Sequence, residues 1–197
     1  MHFIAYGRST RVLALLAVAV WSLPHALGAT SGAAATDRAD RWPMRVTRVV
    51  HRAQLRSLDA TITEVPTDRL QQEPNDCALA VVTELQRTAA RPAPRRAWLV
   101  RSLALTPSGV ALDPLALTLR ELGWSARITR GESQSHPHPL HPPAIALMRP
   151  GHYVLLVTRT PTRVTYFDPL VGLVHQPLPA FEARWTGNGV QLSARDN

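Results

Sequence analysis

The sequence predicts an α+β chain in which helices come first and strands follow. Three observations carry this. Between residues 76 and 123, apolar side chains recur at helical spacing, in stretches closed by Pro92, by a turn at 106–109 and by Gly123. Beyond Gly123 the period becomes strand-like. Residues 152–157 and 163–167 are rich in β-branched and aromatic side chains, and they flank Thr160, Pro161 and Thr162 as an antiparallel hairpin.

Taken in order, the chain opens with Arg8 and Arg11 and no acid, then an apolar run over 12–23 ended by Pro24. Ala26, Leu27 and Gly28 place small residues at alternate positions, as a signal peptidase requires. This is the pattern of a secretory signal peptide, residues 1–28, cleaved near Gly28–Ala29. The run is short for a membrane span, which needs ~20 residues; the alternative is an uncleaved N-terminal anchor. Residues 29–66 read as a linker and N-terminal extension. Within them, 44–50 alternates in part and reads as a strand, with a second short strand at 61–65. Gln71 and Gln72 lie on an extended approach to the first helix.

That helix is expected over 76–90, with Asn75 or Asp76 as N-cap and Arg91-Pro92 as its end. A second is expected over 96–105 and a third from an Asp113-Pro114 start to Gly123, with Leu115, Leu119 and Leu122 facing the core. Strands follow at 124–129 and 144–148. The loop between them carries His136, His138 and His141 among prolines. Three histidines raise the question of a metal, but the alternation with proline forces an extended chain, and Glu132 is the one acid nearby. A solvated, polyproline-like loop is the simpler reading. Symmetric pairing of the hairpin about Pro161 sets His152 opposite Leu170, two residues beyond Asp168. His152 and an acid able to orient it thus meet at one end of the hairpin. A short strand at 173–176, a helical turn at 179–185 and a last strand at 190–193 complete the chain.

Hydrophobic residues make up 45% of the chain and charged residues 18%, a globular composition with enough length for a sizeable core. The net charge is +8, all of the basic side chains being arginine. The arginines are scattered, without the stripe and interleaved aromatics that nucleic-acid binding uses, so that class is set aside.

The chain has one cysteine, Cys77. Most single cysteines are small buried core residues. Cys77, however, opens the first helix, where unpaired N–H groups and the helix dipole favour a thiolate. Exported proteins tend to pair their cysteines, and a lone thiol in an oxidising compartment needs burial or a chemical use.

Placed together, these residues resemble the C39 family of cysteine peptidases, the double-glycine leader peptidases, over roughly residues 70–192. Gln71 stands six residues before the cysteine. Asp76-Cys77, with Ala80, matches the acid-cysteine step. Gly151-His152-Tyr153-Val154 matches the family's histidine strand, and Asp168-Pro169-Leu170-Val171-Gly172 its acid turn. Phe181, Trp185, Thr186 and Gly187 match the terminal pattern. The resemblance implies a papain-like α+β fold over residues 67–197, with N-terminal helices packed on an antiparallel sheet. It implies catalysis by Cys77, His152 and Asp168, with Gln71 as oxyanion donor and no metal or organic cofactor. Two departures stand out: Ala78 replaces the common glycine after the cysteine, and Arg91-Pro92 replaces the Tyr-Gly that often ends the first helix. Many relatives are domains of export ATPases. This chain looks more like freestanding exported members, some of which accompany secretion systems for extracellular amyloid fibres.

The expected function is therefore an exported, periplasmic cysteine peptidase. Its partners would be a peptide or protein substrate, such as a Gly-Gly leader or a fibre precursor, and secretion-system components. The rival from another class is a noncatalytic papain-like domain that binds an unfolded export substrate or a secretion partner. An acyl transferase with the same triad is a third reading.

Overall fold

A computed structural model describes residues 44–131 and 139–194. The expected signal peptide, residues 29–43, Glu132, His136 and His138 lie outside the described residues. The chain divides into two compact units, residues 1–50 and 51–197. The described part of the first is the opening of one helix; the sheet and the remaining helices belong to the second.

In chain order the elements are helix α1 (Met44–Ser57), strand β1 (Thr61–Thr63), a 3-10 turn (Thr67–Arg69), helices α2 (Cys77–Thr88), α3 (Arg96–Ser102) and α4 (Leu112–Glu121), and strand β2 (Trp124–Thr129). Then come β3 (Ala144–Met148), β4 (His152–Arg159), β5 (Arg163–Asp168), β6 (Gly172–Pro177), the short helix α5 (Leu178–Glu182) and β7 (Trp185–Ala194). The strands form one sheet in the order β1-β6-β5-β4-β3-β7-β2, every neighbouring pair antiparallel. Strands β3 to β6 meander by hairpins. Strand β7 then returns beside β3, and β2 takes the far edge.

Four local expectations need correction. Residues 44–50 begin a helix, not a strand: Val46 and Val49 of the partial alternation are exposed, and the helix's buried side chains are His51 and Leu55, one turn apart. Asp76 occupies the N-cap of α2, but its side chain makes no cap hydrogen bond; it faces the Gln72 N–H and Arg96 instead. Asp113 lies inside the first turn of α4, whose N-cap is Ala111, and its carboxylate meets Arg130 at the surface. The last strand begins at Trp185, running through the two glycines that sequence alone assigns to a loop. A Cβ on Gly189 would collide with the Ile145 carbonyl oxygen, so the glycine is what lets β7 lie against β3.

The hairpin register holds where it matters. Leu155 faces Phe167 and Leu156 faces Tyr166, as symmetric pairing requires, and a bulge between Leu156 and Thr158 absorbs the shift toward the turn. Gly172 closes the acid turn with φ +108°, and a Cβ there would meet the Thr63 carbonyl at 2.7 Å. Only glycine satisfies both demands.

Helix α2 packs on β4 and α4 packs on β2. Between them lie Val81, Val82 and Leu85 of α2, Leu115 and Leu119 of α4, and Leu155 of the sheet, all buried. Each such side chain is worth roughly 1.5–3 kcal/mol for leaving water. The outer face of α2 is fastened by charge. Glu84, buried, receives Arg87 through Nε (2.9 Å) and Nη2 (2.6 Å), and Arg69 through Nε at 3.1 Å and through Nη2. This grips the 3-10 turn that feeds Gln71. Burial pushes the Glu84 carboxyl up, but the two guanidiniums outweigh it and hold it below its usual 4.5. The folded form therefore binds fewer protons than the unfolded one. The contribution is full above the unfolded value and is lost as pH falls through the folded one. Glu84→Gln is expected to cost roughly 1–2 kcal/mol at pH 7, the low end for hydrogen bonds to a charged group because Arg87 is half exposed. The difference in Tm from the unsubstituted protein should shrink as pH is lowered from 7 to 3.5. A difference independent of pH would contradict this reading.

Candidate active site

The site forms where the start of α2, the start of β4 and the end of β5 meet. Cys77 is the first residue of α2 and is buried. Buried apolar residues behind it, Leu79 and Val82 among them, hold the helix on the sheet, so the cysteine is fixed at the helix's positive end. Arg149, Pro150 and Gly151 turn the chain from β3 into β4. His152 is the first residue of β4, with a side chain 13% exposed. Tyr153 alternates to the core side. Its hydroxyl donates to the Val110 carbonyl at 3.0 Å, and burial, helped by the nearby Cys77 sulfur, pushes its pKa up to about 12.

Asp168 ends β5 and is fully buried. Its oxygens take three donors. Oδ1 accepts from His152 Nε2 at 2.9 Å and from the Leu170 N–H at 2.9 Å; Oδ2 accepts from His51 Nε2 at 2.8 Å. Burial pushes the carboxyl up, but the two imidazoles outweigh it and hold it well below the usual carboxylate range. An ionised carboxylate accepts only, so both histidines carry their proton on Nε2. That leaves His152 Nδ1 for Cys77. Burial lowers the His152 pKa; the charge and hydrogen bond of Asp168, followed by those of Cys77, reverse this and raise it to about 10. The protonated form of His152 is thereby favoured.

Gln71 and Gln72 part company. Gln71 is buried, its N–H donates to the Pro169 carbonyl at 2.9 Å, and its amide Nε2 donates to the Glu73 carbonyl at 3.0 Å. The glutamine is thereby tied to the turn that follows Asp168. Gln72 is exposed, with its amide folded back onto the carbonyls of Thr67 (2.9 Å) and Leu70 (2.6 Å). Asp76 holds this loop from below: its Oδ2 accepts from the Gln72 N–H at 3.4 Å and from Arg96 Nη1 at 2.9 Å.

The structure thus draws Cys77, His152, Asp168 and the Gln71 segment together. Sequence reasoning missed His51. Its one signal is the four-residue spacing to Leu55 on a helix otherwise rich in arginine, which marks a buried face and not a chemical role. His141 is exposed and apart from the site, its backbone N–H bonded to Gln191. Phe181 and Trp185 of the terminal pattern are core residues; Phe181 packs against Tyr166 with ring centroids 5.5 Å apart. Among the described residues, His51, His152 and Asp168 are the group whose atoms converge as metal ligands do. Both imidazole N–H groups already point at the carboxylate, which is the geometry of hydrogen bonds to an anion.

Comparison with known proteins shows the family and the fold. The profile of the peptidase C39 family matches residues 68–197, and the chain belongs to that family, a family of cysteine peptidases. No curated protein matches the chain. Among solved structures, it is similar to a double glycine motif protease from an AMS/PCAT transporter, crystallised in complex with the leader peptide. That likeness has a TM-score of 0.57 and 18% identity, over 68% of this chain and 93% of the other. It is similar also to the peptidase domain of Streptococcus ComA, described as a bi-functional ABC transporter involved in a quorum-sensing pathway. Here the TM-score is 0.54 and the identity 19%, over 64% of this chain and 96% of the other. The fold is the papain-like one of C39 peptidase domains.

Proposed function

We propose that the chain is an exported cysteine peptidase acting through Cys77, His152 and Asp168. The observation that carries this is the Asp168 carboxylate, which receives His152 Nε2 and so turns Nδ1 toward a cysteine at a helix start. His152 Nδ1 takes the thiol proton of Cys77. Cys77 Sγ attacks the peptide carbonyl carbon, and the carbonyl π electrons move onto oxygen. His152 gives its Nδ1 proton to the leaving amine as the C–N bond breaks, leaving a thioester. The now neutral imidazole takes a proton from water. The hydroxide so formed displaces the thiolate and releases a new carboxyl terminus. Asp168 keeps the imidazole oriented and stabilises its cation without taking the proton. Gln71 Nε2 and the Cys77 N–H donate to the carbonyl oxygen as it gains charge.

The chemistry leaves the substrate open to any extended peptide. One solved structure similar to this chain is described as a double glycine motif protease in complex with the leader peptide, and a Gly-Gly leader or a fibre-subunit precursor is the substrate class we assign. The N-terminal pattern supports export to the periplasm. Among the described residues, no helix is long and apolar enough to cross a membrane.

Two measurements test this reading. Peptides carrying Gly-Gly within a leader-like sequence should be cut by the purified protein, and a thiol-directed probe should label Cys77 and stop the cutting. Labelling without cleavage of any peptide would favour the noncatalytic binding domain. For export, mass spectrometry of the protein recovered from the periplasm should find a mature chain starting near Ala29. An intact N-terminus that fractionates with membranes would replace the cleaved signal with an anchor.

A further inference from the structure

We propose that His51 is a positioning residue of the active site, supplied by helix α1 from outside the family-matched region. It holds Asp168 so that this carboxylate presents Oδ1 to His152. The inference rests on the Cys77–His152–Asp168 reading above and adds a fourth side chain to it.

The geometry is specific. A carboxylate on a two-bond stem can swing unless both oxygens are held. Oδ1 is shared between His152 and the Leu170 N–H. Without His51, Oδ2 would have no donor among the hydrogen bonds described, in a side chain that is 1% exposed. His51 Nε2 fills that place at 2.8 Å, and its side chain is 9% exposed. Its ring also stands edge-on to His152, with centroids 5.7 Å apart and planes at 69°. The same residue therefore anchors the acid and walls one side of the imidazole. Leu55, one turn along, is fully buried and fixes the helix that delivers it.

A hydrogen bond to a charged group inside a protein is among the stronger ones, and a buried carboxylate that loses it pays in solvation. His51 Nε2 lies as close to the carboxylate as His152 does, 2.8 Å against 2.9 Å, and on the other oxygen. Removing it leaves Oδ2 short of a donor and lets the carboxylate swing out of line with His152. The cost falls on the ion pair with Cys77, since Asp168 acts there through His152 alone.

The test reads the ion pair without needing the natural substrate. The rate of Cys77 alkylation by iodoacetamide is measured near pH 6, where ordinary thiols react slowly, in the full-length protein and in His51→Phe, His51→Gln and His152→Ala. His51→Phe keeps a ring but no donor. It should slow alkylation about ten- to a hundredfold, the span expected for one charged hydrogen bond. His51→Gln can place an amide N–H near the position of Nε2 and should recover most of the rate. Where a cleaved peptide is in hand, kcat should fall with His51→Phe while KM holds. If His51→Phe does not fold, His51→Asn replaces it, because its shorter amide cannot reach Oδ2. Alkylation at the unsubstituted rate in His51→Phe or His51→Asn overturns the inference. So does equal slowing in His51→Gln and His51→Phe that merely follows their loss in Tm. If His152→Ala leaves alkylation unchanged, the ion pair itself is wrong and both readings fall. If alkylation behaves as expected but no peptide is cut, His51 keeps its role and the peptidase reading alone is lost.

Discussion

Cys77→Ala and His152→Ala are each expected to abolish peptide cleavage while leaving the fold in place. Both side chains belong to one proton-transfer unit, and losing either member removes most of what the pair provides. Removing the sulfur removes the nucleophile outright. Removing the imidazole leaves the thiol without the base that ionises it and leaves the amine without its proton donor. The expected fall in kcat is on the order of 10⁴ or more, near the limit of detection. Stability should move little for Cys77→Ala, because the exchange trades one small buried side chain for another in the first turn of α2. His152→Ala strands the Oδ1 of Asp168 beside the Leu170 N–H alone, and a loss of about 1–3 kcal/mol is expected for the buried charge. Peptide cleavage and thermal melting of both variants decide the matter. Normal turnover in either would remove that residue from the mechanism.

The second large effect distinguishes Gln71 from Gln72. Gln71→Ala should lower kcat by roughly 10²–10³ with little change in KM, because a donor to the oxyanion strengthens only as charge develops on the carbonyl oxygen. Gln72→Ala should do little: that side chain is exposed and bonded to carbonyls of its own loop. Thiol labelling should survive in Gln71→Ala, since His152 and Asp168 are untouched. Loss of activity in Gln72→Ala instead would mean that the loop reorganises when substrate binds. The Gln71 amide donates to the carbonyls of Glu73 (3.0 Å) and Pro74 (3.5 Å) in the free protein, so it must turn from one of them to serve the oxyanion.

The pieces of this site were legible in the sequence to the extent that local chemistry defines them. Cys77 at a helix start, His152 at a strand start and Asp168 before a Pro-x-x-Gly turn each follow from punctuation by proline and glycine. The hairpin register could be counted because the turn about Pro161 is short. What could not be read is long-range. His51 lies 117 residues from its partner, and nothing near it marks an active-site role. Residues 44–50 misled because a partial alternation over so short a window does not distinguish a strand from an amphipathic helix whose buried face comes later. Asp76 occupies the N-cap that the sequence assigns it, but its carboxylate holds the glutamine loop, a choice made by Arg96 packing from another helix. Gly187 and Gly189 read as a loop because glycine usually marks one; here the close approach of β3 demands Gly189, and Gly187 takes a φ of +83° within the strand.

The central claim is that Cys77 hydrolyses a peptide bond through a thioester. The direct measurement is cleavage of a Gly-Gly leader peptide in water enriched in ¹⁸O, with the products weighed by mass spectrometry. Hydrolysis predicts a new carboxyl terminus carrying one heavy oxygen from solvent, seen with the unsubstituted protein and lost with Cys77→Ala. An acyl group passed intact to an added amine, with no labelled acid, or cleavage that persists in Cys77→Ala, would contradict it.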